Sequence, residues 1–173
     1  AAWVDGSWDV TAGGAFDDKW QHLVHVKPRF KVPRAWKVDR TFDWGSTHPF
    51  SYGIWAEANG EEVELEDGTK WCPVRGSLIR IAEIYGVVND SYGKPDFSQN
   101  KGLKLSAKDI AIKGKELEAQ LLKEGWISRP VQAGPADNQI RDVRETDVET
   151  IEQKMAKEGI RFTKSDKSAG SRK

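Results

Sequence analysis

Cysteine is almost missing from this chain. Cys72 stands alone, which excludes an internal disulfide and any zinc site built on a cysteine cluster. Histidine is scarce as well, with only His22, His25 and His48 present, a poor basis for a histidine-built zinc centre. No run of 18 apolar residues occurs, so no helical membrane span is expected, and the start at Ala1 carries no signal-peptide pattern. Charge bias is also absent. Lys+Arg and Asp+Glu number 27 each, so the whole chain exerts no net pull on a polyanion, and any basic contact must be local. Together these absences predict a cytosolic protein or, better, a segment of a longer one.

The 173 residues suffice for one domain with a real core. The eight tryptophans, Trp3, Trp8, Trp20, Trp36, Trp44, Trp55, Trp71 and Trp126, follow no repeat and share no strand face. That scatter favours core and interface packing over an aromatic binding face. Cys72, next to Pro73, reads as a packed, inert thiol.

Residues 1–30 read as a lead-in, with a Gly13-Gly14 turn and weak alternation around His22–Val26. The pair His22-x-x-His25 lacks partner ligands and reads as structural. Period-2 alternation then predicts a strand over 36–44. Trp36, Val38, Phe42 and Trp44 share one face, interrupted by Arg40; Lys37, Asp39, Thr41 and Asp43 share the other. A second strand is expected over 49–58. Asn59-Gly60 then gives a hairpin signal, followed by a short polar strand over 61–66 and a turn at Asp67-Gly68. A further strand over 77–85 places Ile79, Ile81, Glu83 and Tyr85 on one face. After a polar loop over 86–104, Ser106-x-x-Asp109 resembles a capping box. The helix it opens runs to about Glu124, with Ile110, Ala111, Leu117, Leu121 and Leu122 inward and Gly125 as its stop. A strand over 126–133 leads to Gly134-Pro135-Ala136-Asp137. Thr146-x-x-Glu149 is expected to cap a last helix bearing Val148, Ile151 and Met155 and ending at Gly159. The tail from Thr163 is expected to be mobile. Antiparallel strands followed by helix, strand and helix predict a mixed α/β sheet with helices packed on it.

Three acids stand out within this pattern. Asp43, buried-looking, ends the first strand just before Trp44-Gly45. Glu83 is the lone charge on its apolar face, and Asp137 lies at a strand-to-loop switch. Adjacent strands are about 4.8 Å apart, so acids at such positions can converge, and like charges that close repel unless neutralised. Hard carboxylate oxygens without histidine or cysteine suit Mg²⁺ or Mn²⁺. Two such ions, about 3.5–4 Å apart, are a known arrangement for phosphodiester hydrolysis. The plainer reading is that each acid caps a turn or pairs with a nearby Lys or Arg. Asp39 shares a face with Asp43 and competes for its role, although it lies about 13 Å back along the strand; a salt bridge to a basic neighbour is the expectation there. His48, in the loop after Asp43, is a candidate phosphate contact, as are Lys164, Lys167, Arg172 and Lys173 in the tail.

Three segments, Asp39-Arg40-Thr41-Phe42-Asp43-Trp44-Gly45-Ser46, Arg80-Ile81-Ala82-Glu83-Ile84-Tyr85-Gly86 and Gly134-Pro135-Ala136-Asp137-Asn138, resemble the C-terminal nuclease domain of tailed-phage terminase large subunits. Phe42-Asp43-Trp44-Gly45 ahead of the Pro49-Phe50 strand is the more specific of these motifs, and the other two follow in the right order. Trp8-Asp9-Val10-x-x-Gly13-Gly14-x-Phe16 looks like the end of that family's ATPase domain. The resemblance implies a ribonuclease H-like mixed β-sheet flanked by α-helices over 31–173, shortened at its C-terminus, with 1–30 left from a preceding ATPase domain. It implies that Asp43, Glu83 and Asp137 are the catalytic, metal-binding triad, Asp43 bridging two Mg²⁺ or Mn²⁺ ions and each of the others completing one. It further implies cleavage of concatemeric double-stranded DNA during genome packaging in the host-cell cytoplasm. The implied partners are that DNA, the motor domain of the same full-length protein, the terminase small subunit and the portal, with no membrane. The chain departs from the family in lacking a G-x-x-x-x-G-K-[ST] motif, so it is not itself the motor. The rival readings are a stand-alone resolvase-like nuclease and a non-catalytic, tryptophan-rich binding module.

Overall fold

Alternation and turn chemistry place most of the strands. The structure, a computed structural model, describes residues 19–143 and 148–168. Strands β1 (Lys37–Asp43), β2 (Ser51–Glu57) and β5 (Leu78–Tyr85) form an antiparallel meander. Between β2 and β5 a small two-stranded hairpin projects, β3 (Val63–Glu64) and β4 (Lys70–Trp71), turning at Gly68, where φ is +80°. Helix α2 (Ala107–Lys123) then crosses back to β6 (Gln132–Ala136), which runs parallel to β1. A 3-10 turn (Asn138–Arg141), helix α3 (Ile151–Lys157) and β7 (Thr163–Lys164) complete the chain, with β7 parallel to β6. A four-residue helix, α1 (His22–His25), precedes all of these. The sheet order is β5-β2-β1-β6-β7. Three antiparallel strands followed by two parallel to the first, with a helical crossover between, are the ribonuclease H-like arrangement, a mixed sheet flanked by helices.

One face of the sheet is the core. Phe42, Tyr52 and Ile54 are buried on it with Ile110, Ala111 and Met155 of the helices. Gly114 lets α2 approach closely: a Cβ there would lie 2.6 Å from the Tyr52 ring. Arg40 also points into this layer and is only 7% exposed. Its guanidinium donates to both Glu118 oxygens, at 2.7 and 2.9 Å, and to the Val131 carbonyl at 2.9 Å, while Tyr52 donates its hydroxyl to Glu118 at 2.5 Å. Burial of that hydroxyl beside the Glu118 charge pushes the Tyr52 pKa far up. The apparent break in the apolar face of β1 is therefore an ion pair tying β1, β2 and α2 together.

Several expectations are corrected. Asn59-Gly60 does turn, with Gly60 at φ +93°, yet the strand after it pairs with β4 and not with β2. The segment 61–66 is not merely polar, because Val63 and Leu65 are buried and Leu65 bridges Phe30. Strand β6 begins six residues later than expected, at Gln132. Leu122 faces outward, 37% exposed, since the ladder of Ile110, Ala111, Gly114 and Leu121 already fills the contact. Thr150 caps the last helix through a capping box with Gln153, so Val148 lies outside it and is 98% exposed; Thr146 falls outside the described residues. The tail is partly a strand: β7 pairs with β6 because Phe162 stacks on Phe42 at 5.5 Å and anchors it. Cys72 is exposed. Of the described tryptophans, Trp36 is buried while Trp44, Trp71 and Trp126 pack partly buried against the core; Trp3 and Trp8 lie outside the described residues. His25 stacks on Trp20 at 4.8 Å, in keeping with a structural role.

Candidate metal centre

The face opposite the core carries the acids. On β1, Asp39, Thr41 and Asp43 alternate with the buried Val38, Arg40 and Phe42. Direct cross-strand partners share a face, so Asp43 stands beside Ser51, and Ser51 beside Tyr85. One row back, Thr41, Gly53 and Glu83 align in the same way.

Asp137 reaches this face through an irregularity in β6. Pairing runs Arg40↔Ala133 and then Phe42↔Ala136, so β6 carries one extra residue at Gly134-Pro135. Pro135 has no N–H to give the ladder, and proline inside a strand is tolerated at such bulges. The slip brings the residue after Ala136 level with the end of β1, and the Asp137 N–H donates to the Phe42 carbonyl at 3.2 Å. Bulges re-aim side chains in this way.

The electrostatics follow from the geometry. The Asp43 carboxyl is harder to ionise than an ordinary aspartate, first because of desolvation and then because of the Asp137 charge. Among the described residues its side chain has neither an ion-pair nor a hydrogen-bond partner. Although it looked buried in sequence, the residue is exposed at the strand end. Asp137 behaves oppositely: the Gln139 N–H at 2.9 Å and Lys167 Nζ at 3.2 Å hold its pKa down. Asp137 therefore ionises first, and Asp43 bears the repulsion.

Glu83 is oriented by two neighbours. Ser51 Oγ donates to its Oε1 at 2.7 Å, and Arg80 meets its Oε2 at 2.8 Å. Residues three apart on a regular strand point to opposite faces. The register shift where Ile54 and Trp55 pair with Ala82 and Arg80 leaves Ile81 unpaired and brings Arg80 to the Glu83 side. Through Ser51, the Glu83 carboxylate leans towards the Asp43 row.

The structure thus sets Asp43 and Asp137 side by side and holds Glu83 on the same face, one strand beyond Ser51. Among the described residues, no three His, Cys, Asp or Glu side chains are arranged to hold one metal ion as they stand. The donor set nevertheless fits a hard divalent cation: all its ligands are oxygens, and Asp43 has no compensating charge. Glu83 and Asp137 are paired with Arg80 and Lys167 respectively. Asp39 is engaged by Lys37 Nζ at 2.7 Å, as expected of a salt-bridged residue outside the site. His48 is exposed in the loop after β1, its Nδ1 3.4 Å from the Asn100 carbonyl. Lys164 is exposed on β7, and Arg172 and Lys173 fall outside the described residues. Sequence reasoning missed Ser51 and Arg80, and it took Lys167 for a phosphate contact alone. Only the cross-strand register could have pointed to Ser51.

No family model matches the chain, and no curated protein matches it. Among solved structures it is similar to the large terminase of a thermophilic bacteriophage, at 16% identity and a TM-score of 0.48, over 85% of this chain and 27% of that one. The chain thus spans about a quarter of that protein's length.

Proposed function

We propose that this domain is a divalent-metal endonuclease acting on double-stranded DNA, with Asp43, Glu83 and Asp137 as its ligands. One observation carries the proposal: Asp43 and Asp137 end the parallel neighbours β1 and β6 close enough for the Asp137 charge to raise the Asp43 pKa, while Asp43 has no ion-pair partner among the described residues. Charge repulsion of this kind is concentrated at functional sites. Two Mg²⁺ or Mn²⁺ ions bound there would activate water and stabilise the leaving oxygen. The protein's part is orientation. Ser51 holds the Glu83 carboxylate, the Gln139 N–H holds Asp137, and the β-ladder fixes Asp43 between them. Arg80 and Lys167, the basic neighbours of Glu83 and Asp137, would be the groups to meet phosphate. The three motifs further support a role as the nuclease part of a phage packaging terminase, working on concatemeric DNA in the host cytoplasm beside a motor domain, small subunit and portal.

The test is plasmid nicking by the purified domain with Mn²⁺ or Mg²⁺, with Ca²⁺, and with EDTA. Cleavage is expected with the first two ions only, because calcium's looser coordination does not align the attacking water. Asp43→Ala should abolish cleavage, a loss of several kcal/mol of barrier stabilisation, and Asp39→Ala should leave it largely intact. Undiminished cutting in EDTA, or a folded but inactive Asp39→Ala beside an active Asp43→Ala, would refute the assignment.

A further inference from the structure

The row of the sheet that holds Asp43 also holds Tyr85, whose ring pairs with a loop phenylalanine that hydrolysis does not use. Tyr85 shares its face with Ser51 and Asp43, two strand spacings, about 10 Å, from Asp43. Phe97 stacks on Tyr85, with ring centroids 6.0 Å apart and planes at 21°. Rings that only sealed a core would be covered, yet Tyr85 is 42% exposed and Phe97 51%.

Phe97 is held firmly. The Asp96 N–H donates to the Val88 carbonyl at 2.8 Å, and bridges join Val87 to Gly102 and Asn89 to Pro95. Gly102 in turn lies against the loop that follows Asp43: a Cβ there would be 2.3 Å from the His48 carbonyl oxygen. The loop's two aspartates are turned back into the loop, Asp90 accepting from the Tyr92 and Lys94 backbone N–H groups and Asp96 from the Ser98 backbone N–H and the Gln99 side-chain amide. Lys94, Lys101 and Lys104 remain exposed. Aromatic faces and ammonium groups are the two components that bind single-stranded nucleic acid.

We propose that Tyr85 and Phe97 form a stacking ledge for an unpaired base of the DNA strand whose backbone passes Asp43. The path of that strand rests on the nuclease reading; the stacking does not. Paired bases keep their faces buried in the duplex, so the ledge selects frayed, mismatched or single-stranded segments over intact duplex.

Fluorescence anisotropy with Ca²⁺ present would compare a labelled oligothymidylate with an abasic strand of the same length. The two carry the same phosphates, so the backbone contribution cancels. The wild-type protein should bind the base-bearing strand about 10-fold tighter or more. Tyr85→Leu and Phe97→Leu, shown folded by circular dichroism, should lose that preference and keep the abasic affinity. Equal binding of both strands by the wild type, or a preference that survives in both leucine variants, overturns the proposal. Nicking measured in parallel separates the two readings. A base preference without nicking would sink the nuclease and leave the ledge, and nicking without the preference would do the reverse.

Discussion

Asp43 and Asp137 are neighbours with opposite effects on the fold. The folded-state pKa of Asp43 lies above its unfolded value, raised by burial and by the Asp137 charge. Its anion therefore destabilises the protein above that pKa, and the penalty fades as pH falls until both states are protonated. Asp137 has a depressed pKa, set by the Gln139 N–H and Lys167. It stabilises the fold above the unfolded value, and that contribution is lost as pH falls through the folded one. Asp43→Asn should accordingly raise stability at pH 7 slightly, by about a few tenths of a kcal/mol at so exposed a position, and Asp137→Asn should lower it. The Asp43 difference should vanish below the unfolded aspartate value of about 3.9, and the Asp137 difference only at still lower pH, below its depressed folded pKa. Scanning calorimetry from acid to neutral pH checks this, and equal signs for the two variants would contradict the pairing. Mn²⁺ should raise Tm for the wild type and much less for Asp43→Asn, because binding to the folded state alone stabilises it.

Among the elements, those with strong periodicity were legible and those made by pairing were not. Strand β1 showed its alternation, and β2 and β5 showed their extent, although the bulge at Ile81 sets Ile79 on the face opposite Glu83 and Tyr85; α2 showed both its Ser106 cap and its Gly125 stop, at φ +76°. The strand β7 is two residues long in a polar stretch, so nothing local marks it; β6 and the Phe162–Phe42 stack create it. The positions of Asp43 and Asp137 at strand ends were legible by pattern. The partners of Glu83 and Asp137 were not, because Arg80 reaches Glu83 only through a register shift and Lys167 reaches Asp137 only once β7 has docked. Gly114 makes the same point about context. By helix propensity alone, Gly114→Ala should stabilise α2 by about 1 kcal/mol. The new methyl would instead meet Tyr52 at 2.6 Å, so urea unfolding should show a loss of about 1–3 kcal/mol.

Over the whole molecule, the β1–β6 pairing joins the antiparallel meander to the segment that follows α2. Phe162→Ala should cost about 3 kcal/mol or more, typical of a buried aromatic removed from a core. It should also speed hydrogen exchange in β6 and β7 ahead of β2 and β5, since the ring anchors that edge of the sheet. The site straddles the same seam. Asp43 comes from the meander and Asp137 from beyond the crossover, so the two acids are strangers until the most distant contact of the sheet has closed. Contacts of that kind carry the largest loop-closure cost and form slowly. If the domain is the nuclease proposed above, a chain still folding, or still emerging from the ribosome, would hold its acids apart, and competence to cut would arrive only with the last strands in place.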